Sequence, residues 1–268
     1  MTLAKPLQLT QTNYHSSEAN REYFSVSQFK DFMECESKAL AKINEEFEES
    51  YGNALLVGSY THAAFESDEA FRTINEENSD VIFKKRGGGK YADFELADLM
   101  IETIKNDKFA MFAMEGEKEI ILTAELFGVP WKCKIDSINH SRNTFTDLKT
   151  TRSLKQRFWS DKYQKYVSFV EAWDYVLQMA MYREIIHQNT GAYYSPYIVA
   201  VTKEDPPDKA VLHFDDSRFQ FELDFVEHMM DRYIELKAGK TAPSRCEKCA
   251  YCRKTKQLKD TVEIGELV

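Results

Sequence analysis

The alternation of apolar and polar positions along the chain predicts helices towards both ends and strands between them. Apolar residues recur at helical spacing in five segments, residues 26–48, 54–69, 92–105, 163–188 and 217–238. Ser25 or Ser27 is placed to cap the first helix, and Gly191 is a stop signal shortly after the fourth. The segment before residue 25 is polar and has no clear period.

Strand-like segments occupy the middle of the chain and return after the long fourth helix. They cover residues 119–126, 129–138, 144–150, 193–202 and 210–214. Phe127-Gly128 and residues 139–143 are natural turns, so the first three strands form an antiparallel meander. The pattern predicts an α/β fold, with a central mixed sheet that contains this meander and is flanked by helices, some of them N-terminal.

The composition is that of one globular core with appendages. The 268 residues are 43% hydrophobic, and no Pro-, Gly- or Ser-rich linker divides them. We expect a polar segment over residues 1–24, a main domain over residues 25–245 and a cysteine-rich basic tail over residues 246–268.

The charge balance narrows the possible partners. With 35 basic and 44 acidic residues the net charge is −9, which argues against indiscriminate binding to polyanions or acidic membranes but allows a local basic groove. The chain has no apolar run long enough to cross a bilayer, and its start lacks the apolar stretch of a secretory signal. We therefore expect a cytoplasmic protein with no membrane partner.

Two carboxylates and a lysine lie together on the predicted meander. If the turn centres between residues 141 and 142, Asp136 lies opposite Asp147 on one face, and Lys149 follows on that face. Directly opposed carboxylates repel, and a divalent cation such as Mg²⁺ or Mn²⁺ between them would remove the conflict. The set then suits phosphodiester hydrolysis. An ordinary exposed cross-strand charge network is the alternative.

Two pairs of polar side chains at helical spacing add to this constellation. His62 and Glu66 lie one turn apart on the second predicted helix, and Gln178 and Tyr182 lie one turn apart on the fourth. Each pair can face a common point. The combination favours a site over a charge network.

The cysteines indicate a second centre. Cys246, Cys249 and Cys252 follow CxxCxxC spacing, which can wrap part of an iron–sulfur cluster or of a tetrahedral zinc site, and the spacing favours a 4Fe–4S cluster. Three free thiols are the remaining alternative. Cys133 lies on the strand face opposite Asp136, where a buried inert thiol is expected.

A basic segment follows Lys149 directly and is interleaved with aromatic residues. Such a mixture can follow phosphates and stack on bases, so we expect it to contact nucleic acid. The predicted DNA-contacting residues are Thr150, Arg152, Lys155 and Arg157. For the basic C-terminal tail, a solvated surface is an equal alternative.

The ordered motifs resemble the PD-(D/E)xK nuclease superfamily, particularly its RecB-like branch and phage exonucleases of the exodeoxyribonuclease VIII (RecE) type. More distantly they resemble CRISPR-associated adaptation nucleases. The motifs that carry the resemblance are Gly58…His62, Lys134-Ile-Asp136, Asp147-Leu-Lys149-Thr150 and Gln178…Tyr182. The chain departs from the family pattern in having Ile135 where proline is common and Asp147 where many relatives have Glu. The resemblance implies a restriction-endonuclease-like core.

The resemblance also implies roles for the motif residues. His62, Asp136 and Asp147 would bind Mg²⁺ or Mn²⁺, Lys149 would assist the nucleophile, and Glu66 is a further candidate ligand. Gln178 and Tyr182 would match the family's QxxxY pair, which supports the site and the DNA backbone. Cluster-bearing relatives take one cysteine from an N-terminal helix, which makes Cys35 the fourth ligand and the cluster a clamp between the chain's ends.

The activity that the resemblance implies is metal-dependent exonucleolytic hydrolysis of DNA, favouring the ends of linear duplex. It would serve phage or prophage recombination or DNA repair, with a single-strand annealing recombinase as a possible partner. The alternatives are a single-strand exonuclease, a structure-specific endonuclease, a catalytically silent cluster-bearing DNA-binding protein and an electron-transfer protein.

Overall fold

The computed structural model describes residues 7–49, 52–258 and 260–267 and has a five-stranded mixed sheet at its centre. The strands in chain order are Glu117–Leu126 (β1), Val129–Asn139 (β2), Thr144–Thr151 (β3), Phe158–Ser160 (β4), Lys165–Val167 (β5), Ser195–Thr202 (β6) and Lys209–His213 (β7). The central sheet has the order β1-β2-β3-β6-β7, in which only β3 and β6 are parallel, and β4 and β5 form a separate antiparallel ribbon. The predicted α/β fold with an antiparallel meander is confirmed.

Helices cover both faces of this sheet. They are Ser17–Glu22 (α1), Val26–Glu34 (α2), Glu36–Ile43 (α3), Asn53–Glu66 (α4), Asp68–Glu77 (α5), Ser79–Ile82 (α6), Ala92–Lys105 (α7), Lys108–Ala113 (α8), Phe169–Ala172 (α9), Tyr175–Thr190 (α10), Ser217–Lys237 (α11) and Ala250–Lys254 (α12), with a 3₁₀ turn at Ile264–Leu267. One core lies between the β1–β2 side of the sheet and helices α2, α10 and α11, around Trp131 and Tyr233. The other lies under α4, α7 and α8, around Tyr60 and Leu148.

The helix predicted over residues 26–48 is wrong as a single element. Ser25 caps α2 as expected, because its side chain accepts from the Gln28 N–H, but the helix stops at Glu34. Cys35 then adopts an extended backbone (φ −165°, ψ 110°) before α3 begins. The break turns the Cys35 thiol towards the C-terminal tail.

The helix predicted over residues 163–188 also starts too early. A short ribbon and α9 precede α10, which begins only at Tyr175. Gly191 ends α10 in the left-handed region (φ 76°), as the stop signal predicts. The helix expected over residues 54–69 ends at Glu66, where Ser67 caps the next helix, α5.

The N-terminal residues that look aperiodic in sequence pack on the sheet. The buried residues Tyr14, Ala19 and Tyr23 lie in or beside α1, and Phe24 forms a β-bridge with Trp131. The division into three parts at residues 24 and 245 stays a prediction. Within the described part of the chain, no helix combines the length and apolar character that a bilayer crossing requires.

Candidate active site

The register of the meander brings the two predicted carboxylates together. Ser137 pairs with Thr146, and the same register continued by one residue sets Asp136 opposite Asp147. The Leu148 N–H donates to Asp136 Oδ2 at 2.8 Å, so the Asp136 carboxylate lies against the β3 backbone instead of continuing the ladder.

Asp147 is held from two sides. Lys149 Nζ lies 2.6 Å from its Oδ2, and Gln178 Nε2 donates to its Oδ1 at 2.6 Å. The Asp147 side chain is only 5% exposed; helix α10 fixes its Oδ1 by a hydrogen bond, whereas its buried Oδ2 has the ion pair with Lys149 but no hydrogen bond among the described residues. Charge-assisted bonds of this kind orient a carboxylate more strongly than neutral ones do.

Helix α4 supplies the facing wall of the site. His62 Nδ1 lies 3.2 Å from Asp136 Oδ2, and Glu66 follows one turn later. A cleft of about 790 Å³ opens between this wall and the sheet. Its lining includes Gly58, His62, Glu66, Glu119, Lys134, Asp136 and Thr150.

The charges in the site perturb one another. Burial raises the pKa of Asp136, but His62 and Lys149 outweigh burial and lower it to about 2. Burial is the larger effect at Asp147 and raises its pKa, although Lys149 opposes this. Burial lowers the pKa of His62, but Asp136 reverses the effect and raises it. The site therefore holds a firmly ionised Asp136 beside a more basic Asp147.

The donors of the site fit a hard divalent cation in chemistry. Carboxylate oxygens and one imidazole nitrogen are ligands that Mg²⁺ or Mn²⁺ accepts. In the structure these donors are paired with one another and with Lys149, and among the described residues only the cysteine group brings three or more ligand atoms within 4.8 Å of one another. Binding a cation would thus replace the contact of His62 with Asp136.

The remaining predicted residues lie around this centre in different ways. Tyr182, one turn beyond Gln178, is partly buried in the core, and burial followed by Tyr14 and Cys133 raises its pKa. Thr150 lines the cleft. The side chains of Arg152, Lys155 and Arg157 are exposed on the segment after β3 and form no ion pair within the described part of the chain.

Two groups near the site were missed by sequence reasoning. Lys30 of α2 donates to the Trp173 carbonyl at 2.7 Å. Its Nζ lies 4.9 Å from the centroid of the Tyr175 ring, and the Lys149 Nζ lies 4.8 Å from the same centroid. Burial, and then Lys149, lowers the pKa of Lys30 to about 7. Glu119 is buried beside the cleft and pairs with Lys134 at 2.5 Å. Only the tertiary fold brings these groups near the site, so no local sequence signal marks them.

The predicted cysteine set converges. The Sγ atoms of Cys35, Cys246, Cys249 and Cys252 all lie within 4.8 Å of one another, with 3.5 Å between Cys35 and Cys252. Burial and the neighbouring thiols raise the pKa of Cys249 to about 12. Burial also raises the pKa of Cys246, but the backbone N–H groups of Cys249 and Lys248 outweigh it and lower the pKa to about 6. Four cysteines bind a metal as thiolates, whose mutual repulsion at this spacing a cation would offset. Cys133 is fully buried away from this group, as expected.

Polar contacts reinforce the same junction. Ser37 donates to the Ser244 carbonyl through its N–H at 3.1 Å and its hydroxyl at 2.8 Å. Glu36 accepts from the Ser244 N–H and from Arg232 of α11. The start of α3 is thus bound to the beginning of the tail by hydrogen bonds that do not involve the cysteines.

Comparison with known proteins agrees with this geometry. Residues 25–255 match the family described as a PDDEXK-like domain of unknown function (DUF3799). The chain belongs to this PDDEXK-like family. Asp136, Asp147 and Lys149 therefore lie in a domain of the kind whose name records an acidic and lysine motif.

Solved structures extend the comparison. The crystal structure of a protein named "Putative exonuclease" from Eubacterium rectale is 37% identical, covers 97% of this PDDEXK-like chain and 98% of its own, and has a TM-score of 0.91. A second structure, of SSO0001, is 15% identical over 87% of this chain and 96% of its own, with a TM-score of 0.31. No curated protein matches the sequence significantly. The family and the similar structure support a nuclease.

Proposed function

We propose that the protein is a divalent-metal-dependent DNA exonuclease that hydrolyses phosphodiester bonds from the ends of linear DNA. The observation that carries the proposal is the buried set of Asp136, Asp147 and Lys149, held by Gln178 and faced by His62. Membership of the PDDEXK-like family supports hydrolysis, and the 37% identical protein named as an exonuclease supports attack from ends.

The proposed metal ligands are His62, Asp136 and Asp147, with Glu66 as a further candidate. When bound, Mg²⁺ or Mn²⁺ would supply Lewis-acid stabilisation of charge at the scissile phosphate. The two aspartates would hold the cation at a fixed place on the sheet, because each carboxylate is oriented by a backbone or side-chain donor before any ligand arrives. Such prior ordering reduces the cost of reaching a productive geometry.

The proposed catalytic role of Lys149 is electrostatic. Burial lowers its pKa, but Asp147 and Asp136 outweigh burial and raise it, so Lys149 stays an ammonium at neutral pH. A fixed ammonium beside the carboxylates orients the attacking water and stabilises negative charge that develops on the phosphate. Gln178 positions Asp147 for this arrangement, and Tyr182, one turn later on α10, packs against the core.

The proposed DNA path leaves the site along the segment after β3. Thr150 lines the cleft, and Arg152, Lys155 and Arg157 follow it on the surface. Lys162, which belongs to the same basic stretch in sequence, is instead buried in ion pairs with Asp174 and Glu222 and is excluded from the path. Service in phage recombination or repair, with an annealing recombinase as partner, and a cytoplasmic location stay predictions.

We propose that the four cysteines hold a metal centre as a structural clamp, and the CxxCxxC spacing of Cys246, Cys249 and Cys252 favours a 4Fe–4S cluster. A single zinc ion is the second candidate, because the sulfur separations of 3.5 and 3.9 Å are close to the roughly 3.8 Å expected around a tetrahedral ion with Zn–S bonds of about 2.3 Å. Metal analysis and visible absorbance of protein purified without oxygen distinguish the two. Bound iron and sulfide in coloured protein would support the cluster. Colourless protein with one bound zinc per chain would replace the cluster proposal with a zinc site.

The activity is tested with end-labelled linear duplex and a covalently closed circle, each incubated in Mn²⁺, Mg²⁺ or EDTA. We expect metal-dependent loss of the linear substrate alone, and no loss with Lys149→Ala. Lys108→Ala is the matched control, because it removes an exposed lysine that lies outside the proposed DNA path and forms no ion pair among the described residues, so it should retain cleavage. Cleavage of the circle would replace the proposal with an endonuclease, and binding without cleavage would replace it with a silent DNA-binding protein.

A further inference from the structure

The β4–β5 ribbon presents two large aromatic side chains to solvent. Trp159 and Tyr166 are direct cross-strand partners and are 54% and 65% exposed. Their ring centroids lie 5.4 Å apart with the planes at 74°. Aromatic side chains of this size normally supply buried area, so an exposed pair on a short ribbon suggests a ligand.

The exposure of this pair comes from a well-anchored ribbon. On its inner face, Val167 is buried and Phe158 packs against the core. The turn that joins the strands is held by Glu222 of α11, which is 1% exposed and accepts from both Lys162 and the Tyr163 hydroxyl. The two rings are therefore held on a fixed support.

Contacts connect the ribbon to the candidate active site. The ring of Phe158, beside Trp159 in the strand, lies 5.7 Å from the ring of Trp173. Trp173 accepts from Lys30 through its carbonyl, and Lys30 shares the Tyr175 ring with Lys149. A chain of contacts through Phe158, Trp173, Lys30 and Tyr175 thus connects the ribbon with Lys149.

The charge of residues 150–160, which connect the sheet to the ribbon, indicates which ligand the aromatic pair binds. Residues 150–160 contain three basic and no acidic residues, in a chain whose net charge is −9. Arg152, Lys155 and Arg157 are exposed and form no ion pair within the described residues. A ligand that satisfies both features has negative charge along its length and flat rings at regular intervals, which is the chemistry of a single strand of nucleic acid.

We propose that Trp159 and Tyr166 form a stacking platform for unpaired bases at a DNA end, while Arg152, Lys155 and Arg157 bind the phosphates between the platform and the active site. The proposal rests on the proposed nuclease function and adds its substrate class: an end with a single-stranded tail is bound in preference to a blunt end. The aromatic rings bind any base, because every base has a π face.

The test measures binding by fluorescence anisotropy in EDTA, so that no cleavage occurs. One labelled duplex is blunt and the other has a single-stranded tail of about ten nucleotides, within the site size of single-strand binding grooves. The variants are Trp159→Ala, Tyr166→Ala and Trp159→Phe. Phe109→Ala is the matched control, because Phe109 is 63% exposed but lies on α8, under the opposite side of the sheet.

We expect the wild type to bind the tailed duplex more tightly than the blunt one. Each alanine variant should weaken tailed binding on the order of tenfold, which follows from the energy of stacking one base on one aromatic ring. Blunt binding should change little, and Trp159→Phe and Phe109→Ala should retain tailed binding. Unchanged thermal unfolding of the variants separates this loss from misfolding.

Several outcomes would overturn the platform. If the alanine variants lose equal affinity for both duplexes, the rings contribute only general charge or structure. If they lose no affinity, the rings are not a platform. A change in self-association with DNA binding unaffected would make the surface a protein contact instead. The nuclease function fails separately: if the tail preference depends on the aromatic pair but no DNA is cleaved in Mn²⁺ or Mg²⁺, the platform stands and the exonuclease does not. If DNA is cleaved but both alanine variants keep the tail preference, the nuclease stands and the platform does not.

Discussion

Removing the ammonium of Lys149 should destabilise the metal-free protein as well as abolish cleavage. Lys149 is 17% exposed and its partner Asp147 is 5% exposed, so the variant Lys149→Ala leaves a buried carboxylate without its cation, next to the ionised Asp136. Breaking a buried pair in this way costs about 3–5 kcal/mol. The expected loss in the free energy of unfolding at neutral pH is therefore about 3–5 kcal/mol.

The pH dependence of this loss has a definite sign. Without Lys149, burial and Asp136 raise the folded pKa of Asp147 further above its unfolded value. A carboxyl with a raised folded pKa loses stability as the pH rises from its unfolded pKa, about 4, to its folded pKa. The deficit of the variant should thus be small near pH 4 and reach its full size towards neutral pH.

Urea unfolding in EDTA, followed by circular dichroism over this pH range, measures the effect. Lys149→Met retains an apolar stem, so it separates the charge from the loss of packing. Lys155→Ala is the control, since an exposed lysine of this kind should change stability by less than about 0.5 kcal/mol. Adding Mn²⁺ should stabilise Lys149→Ala more than the wild type, because the cation replaces the missing charge. If Lys149→Ala and Lys155→Ala unfold alike at every pH, the buried charge cluster does not exist as described.

Three further predictions test the rest of the molecule. Burial lowers the pKa of His62, but the contact with Asp136 outweighs burial and raises it. The contact therefore stabilises the metal-free protein fully below about pH 6.5, the unfolded pKa, and less as the pH rises through the raised folded pKa. In urea unfolding with EDTA, His62→Gln should flatten this pH dependence. Glu222→Gln removes a buried carboxylate that anchors the ribbon and should cost about 3 kcal/mol in denaturant unfolding, whereas retention of full stability would contradict the anchor. Cys249→Ser should lose bound metal and lower the melting temperature, while Cys133→Ala should keep its metal content by elemental analysis.

The sequence predicted the meander well because its signals are local. Strand alternation, the turn at Phe127-Gly128 and the turn at residues 139–143 lie within a few residues of the structure they specify, and together they set the register of Asp136 and Asp147. The placement of Lys149 two residues later follows from the period of a strand. For that reason the sequence alone was enough to place Asp136, Asp147 and Lys149 on one face of the sheet.

The errors occur where distant contacts override the local pattern. The ribbon has strands of only three residues, too short for alternation to be read, and its turn is fixed by Glu222 some sixty residues away. The break at Cys35 has no Gly or Pro to announce it. Its physical reason is the approach of the thiol to Cys252, 217 residues later in the chain. Lys30 and Glu119 reach the site for the same kind of reason.

The cysteine group sets an order for the maturation of the protein. Cys35 lies within the first seventh of the 268 residues, yet its partners begin only at Cys246. During synthesis at about 5–20 residues per second, the sheet and most helices leave the ribosome before the last three thiols do. A metal held by all four cysteines would therefore be fully bound only after residues 246–252 have been synthesised. Full occupancy of the cysteine site would thereby report that the segment around Cys35 and the segment around Cys246 have come together.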